Sequence, residues 1–139
     1  MNSKAQNTPL DECVDAIESA YEYFLAYAAQ GRQSDRGGAG ATSEVRKHLQ
    51  AMVDSMARLS GVIRQRIEQK SPDLLNNAAA FVDAIEQDAA KAAGALQLAL
   101  AQTDISSQLI DNLNASIHVR ALLTDLFIVD EALREPASK

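Results

Sequence analysis

Apolar residues recur every three or four positions through four stretches of about 25–30 residues each, and this period constrains the chain more than any other feature. The first stretch carries Leu10, Cys13, Val14, Ile17, Tyr21, Phe24, Leu25 and Ala28. Steps of three and four put such residues on one face of an α-helix, whereas a half-buried strand needs steps of two. Alanine is used heavily, Trp is absent, and aromatic residues make up 4% of the 139, so little remains from which to build strands. Alanine favours helix because it loses no side-chain entropy.

The punctuation agrees with the period. Thr8 is a good N-cap, Pro9 suits a first helical position, and Gly31 is a natural stop. Residues 31–42 form a polar, glycine-rich stretch expected to be a flexible loop, with neither the preceding strand nor the Gly-Lys-Ser/Thr ending of a phosphate-binding loop. A second stripe follows in Val45, Leu49, Met52, Met56, Leu59, Ile63 and Ile67, and Ser71-Pro72-Asp73 closes that helix and opens the next. Leu74, Ala78, Phe81, Val82, Ile85, Ala89, Ala92, Leu96, Ala99 and Leu100 carry the third, and Pro136 ends the fourth. The expectation is one all-α domain over 1–139, a four-helix antiparallel bundle of up-down-up-down order. Helices are expected at 8–30, 43–70, 72–102 and 105–134, with tails at 1–7 and 135–139. No glycine or proline separates the last two helices, so one bent helix is the alternative there.

Charge and cysteine content narrow the function classes. The net charge of −6 divides as −4 over residues 1–31, +4 over 32–70 and −6 over 71–139. An acidic body repels nucleic acid and anionic membranes, so the basic block is expected to complement its acidic neighbours. No nucleic-acid partner and no membrane span are expected. A lone Cys13 cannot form an intrachain disulfide and the first residues lack an apolar signal segment, so a cytoplasmic location is expected.

The chemistry-bearing residues do not assemble into a motif. His48 and His118 lack the Glu-x-x-His spacing of di-iron bundles, because Val45 and Ala115 precede them by three. A phosphotransfer histidine on a helical bundle fits His118 loosely, since Val119-Arg120-Ala121 follows it in place of a basic residue and then a small one. His118 falls on a polar stripe with Asp111, Asn114 and Asp125. Asp11, Asp15, Glu18 and Glu22 form an acidic stripe on the first helix, but the Glu-x-x-Glu pair of magnesium-holding helical hydrolases is absent. No catalytic residue, metal or cofactor is assigned, and the protein is expected not to be an enzyme.

Surplus apolar surface points elsewhere. Tyr23 and Tyr27 lie about 100° off the core face of the first helix, where tyrosines suit an interface. On the fourth, Ile110, Leu113, Ile117, Thr124 and Ile128 form one stripe, while Ala115, Leu122, Leu126, Val129 and Leu133 form another on nearly the opposite side. A surface helix needs one apolar stripe. The second stripe is therefore assigned to a partner protein, with Tyr23, Tyr27, Leu122, Leu126, Val129 and Leu133 as contact residues. The expected function is a protein–protein interaction module (adaptor, assembly factor or chaperone-like subunit), as a homodimer or with a heterologous protein. The alternative is a bundle whose core around Met52 and Met56 binds a small molecule, or a carboxylate- or histidine-dependent enzyme.

Overall fold

The computed structural model describes residues 8–36 and 43–133, so the expected tails and the second half of the 31–42 loop lie outside the described residues. Five helices are present among them: α1 (Pro9–Ala28), α2 (Glu44–Lys70), α3 (Pro72–Leu100), α4 (Ser107–Ala115) and α5 (Ile117–Leu133). The all-α class is as expected. The helix number is not, because the fourth segment is two helices.

Capping chemistry sets the ends. Thr8 and Asp11 form a reciprocal capping box, each side chain accepting the other's backbone N–H at 3.1 Å. Ser43 accepts from the Arg46 N–H at the start of α2. Ser71 alone joins α2 to α3, with Pro72 at the first helical position. α3 and α4 are separate helices: the chain leaves α3 at Ala101, and Ser106 caps α4 through the Leu109 N–H at 3.0 Å.

Contacts between helices fix who packs on whom. α1 packs on α2, with the Cys13 thiol donating to the Ser55 carbonyl at 3.8 Å near one end and Tyr23 stacked on His48 near the other. α2 packs on α3, with Arg46 donating to the Leu100 carbonyl and Arg64 pairing with Asp83 at 3.4 Å and Glu86 at 3.8 Å. In both pairs the early residues of one helix meet the late residues of the other, so each pair is antiparallel. The Arg64 pairings also match the expectation that the basic middle of the chain faces its own acidic neighbours. α4 lies on α1, and α5 lies on α3.

Ser116 explains the break. Its backbone is extended (φ −60°, ψ 131°), its N–H closes α4 on the Leu113 carbonyl, and its hydroxyl accepts the His118 N–H at 3.2 Å to open α5. One straight helix cannot turn two opposite stripes toward one core. The break lets α4 bury Ile110 and Leu113 and α5 bury Leu122, Leu126, Val129 and Leu133.

The described part of the 31–42 loop is not a loose connection, which corrects the expectation for residues 31–36. Arg32 and Ser107 exchange backbone and hydroxyl hydrogen bonds at 2.8 and 2.9 Å. Asp35, whose side chain is 1% exposed, accepts from Arg46 Nε at 2.7 Å and from the Ile105 N–H at 2.9 Å. Arg46 also donates to the carbonyls of Leu100, Gln102 and Thr103. This clasp ties the α1–α2 connection to the α3–α4 connection. Burial alone raises the Asp35 pKa, but the bonds from Arg46, the Ile105 N–H and Ser43 outweigh it and hold the carboxyl at about 2.

Candidate functional site

The residues assigned to a partner from the sequence are mostly internal. Leu122, Leu126, Val129 and Leu133 are buried in the chain's own core. The reason is the change of phase at Ser116, which turns what reads as a second stripe into the single inner face of α5. Tyr27 is 1% exposed. Its hydroxyl donates to the Ile105 carbonyl at 2.7 Å, its own carbonyl accepts from Ser107 Oγ at 2.7 Å, and the Arg32 guanidinium covers its ring. Tyr23 is half-buried and stacks on both Tyr27 and His48. Burial raises the pKa of both phenols. The off-face position of these tyrosines follows from α1 packing on α4 as well as on α2, which buries Ala20 and Tyr27 together.

Other apolar side chains take the exposed positions. Phe127 is 64% exposed, and Ile117, Ile128, Leu25 and Leu98 are also exposed. Phe127 belongs to a cleft between α1 and α5. Because α4 leans on α1 while α5 leans on α3, the two helices diverge below the Ser116 break. The opening is about 360 Å³, with Glu18, Tyr21 and Glu22 on the α1 wall and Arg120, Leu123, Thr124, Leu126 and Phe127 on the α5 wall. Helical spacing extends both walls: Leu25 follows Glu22 by three residues and Ile117 precedes Arg120 by three.

The electrostatics of the cleft are one-sided. Burial raises the Glu18 pKa, and the nearby charges of Asp15, Asp130 and Glu22 raise it further. Arg120 is the one cation among the lining residues.

A second carboxylate site lies on the far side of α5. Asp125, expected on a polar stripe with His118, is 9% exposed and faces Asp88 of α3, while His118 itself is exposed on the first turn of α5. Asp125 Oδ2 is buried with no hydrogen-bond partner, as are both amide atoms of Asn114 at the end of α4. Burial, then hydrogen bonding to Asp88 and its charge, pushes the Asp125 carboxyl up to about 7. The pair is fit to share one proton across the α3–α5 contact.

The remaining chemistry is dispersed. His48 lies against Tyr23 and 3.7 Å from Glu44. Cys13 is fully buried, and burial raises its thiol pKa, so it fills space as a small apolar side chain. Met52 and Met56 are buried in the core. No group of three His, Cys, Asp or Glu converges on a common point among the described residues. None of the helices there is long and apolar enough to cross a membrane.

Sequence reasoning missed the cleft and the Asp88–Asp125 pair, and one signal marks both. The apolar stripe changes sides between Leu113 and Leu122, with Ser116, a helix-capping residue, between them. Compared with family models, curated proteins and solved structures, the chain matches none.

Proposed function

We propose that this protein acts by binding another protein, with the α1–α5 cleft as its docking surface, and that it is not an enzyme. The observation that carries the reading is Phe127. It stands 64% exposed at the edge of an apolar cleft while α5 has buried its other face completely. A large aromatic side chain left in water beside Leu123 and Tyr21 forfeits burial worth about 2 kcal/mol, which a partner would recover. On this reading α4 and α5 together fill the fourth position of an up-down bundle, and the imperfect fit of two short helices leaves the docking surface.

The test is affinity purification of the full chain beside two variants, Phe127→Asp in the cleft and Leu98→Asp, which alters an exposed apolar residue on α3. A protein retained by wild type and by Leu98→Asp, lost with Phe127→Asp, and rebound by the purified chain is the expected result. Equal retention by all three would remove the cleft from the function. A small-molecule reading draws on the cleft volume, which falls in the range of ligand pockets. Native mass spectrometry of freshly purified protein distinguishes it by an added small mass.

A further inference from the structure

Resting on that reading, we infer that the cleft takes the apolar face of a basic amphipathic helix from a different protein. The two walls give the shape. Leu123 and Phe127 stand one turn apart on the α5 wall above the buried Leu126, and Tyr21 and the exposed Leu25 stand one turn apart on α1. The apolar part of each wall is therefore about 6 Å long at the rise of an α-helix. That length receives side chains at i and i+3 or i+4 of a guest helix, the spacing of helix-in-groove anchors.

Charge selects the guest. Asp15, Glu18 and Glu22 are exposed on α1 at spacings of three and four, so they line one edge of the cleft. Asp130 adds its field from α5. Arg120 on the α5 wall is the one cation among the lining residues, against Glu18 and Glu22 on α1. Lysines or arginines flanking the guest's apolar face would meet this acidic edge. A second copy is disfavoured because it brings a net charge of −6 and one cleft cation, Arg120, to this edge, where a basic helix brings several. Nucleic acid and anionic membranes meet the same repulsion.

The experiment is selection on the full chain from a displayed library of helix-forming peptides of roughly 20 residues, with apolar anchors fixed at i and i+4 and the flanking positions randomised over charged and polar residues. The expected result is enrichment of Lys and Arg at the flanks, lost when selection is repeated on Phe127→Asp or on the milder Phe127→Ala. The purified winning peptide should bind the doubly reversed Glu18→Lys, Glu22→Lys chain about tenfold or more weaker, and weaken with added salt. Enrichment that depends on Phe127 but shows no charge preference would overturn the basic-helix inference and leave the docking reading standing. No enrichment over the Phe127 variants would overturn both. Light scattering that shows dimers of wild type but monomers of Phe127→Asp would assign the cleft to a second copy and overturn the inference in favour of self-association.

Discussion

Two aspartates with opposite pKa shifts define what pH does to this protein. Asp125 is a carboxyl whose folded pKa is raised, to about 7, so the folded state holds its proton after the unfolded chain has lost it. Its contribution to stability therefore falls as pH rises from about 4 to about 7. Asp125→Asn keeps the site uncharged at every pH. The variant's advantage over wild type should grow by about 2 kcal/mol between about pH 5 and pH 8, read from urea midpoints. An advantage that stays constant with pH would mean that the Asp88–Asp125 contact carries no shared proton. Asp35 works the other way. Its folded pKa is lowered to about 2, so its contribution is present above the unfolded carboxylate pKa and is lost as pH falls through about 2. Asp35→Asn should cost about 2–3 kcal/mol near neutrality, because Arg46 keeps its charge in a partly buried site. The deficit should shrink toward about pH 2 in acid titrations of wild type and variant.

Among the elements, the Ser116 break decides how the last quarter of the chain is read. Ser116→Ala removes the acceptor for the His118 N–H and should cost about 1 kcal/mol in thermal or denaturant unfolding. A neutral substitution would mean that the extended backbone at Ser116 is set by packing alone. Helices α1, α2 and α3 were legible because each carries one continuous stripe between capping signals: Thr8-Pro9, Ser43 and Ser71-Pro72 stand where these helices begin. The fourth was misread because period alone cannot distinguish one helix with two apolar faces from two helices with one face each. Both give the same three-and-four spacing, and a single extended residue is shorter than the window over which period is read. The clasp at 31–36 was hidden for another reason. Its partners at Thr103 to Ser107 lie about 70 residues along the chain, and local composition carries no trace of them. Of the contact residues assigned from the sequence, Leu126 lines the cleft from its floor, but Phe127, its exposed neighbour, belongs to neither stripe.

At the level of the whole molecule, adjacent positions on α5 should give opposite outcomes. Leu126 is 1% exposed and Phe127 64%. Leu126→Asp buries a charge in the core and should cost about 3 kcal/mol or more, a large share of the stability of an ordinary domain. Phe127→Asp should leave the melting temperature within a few degrees of wild type while removing partner binding. Circular dichroism melts of the two variants check this directly, and a Leu126→Asp chain that melts with wild type would place α5 differently from the packing described here.

The clasp between Tyr27 to Asp35 and Ile105 to Ser107 carries a consequence for the order of assembly. The α2–α3 hairpin closes through the single residue Ser71, so its contacts bring together stretches that are already near in sequence. Tyr27 with Ile105 instead bridges a separation of 78 residues. Closing so large a loop forfeits chain entropy before any contact compensates it, which places the clasp late in folding. Tyr27→Phe should then hasten unfolding and leave the folding rate almost unchanged in stopped-flow chevrons, whereas slowed folding would put the clasp in the nucleus. Late closure would make the joined connections a lock set after the helices have docked, so the chain's lifetime in the native state would depend more on this end of the molecule than its speed of reaching that state does.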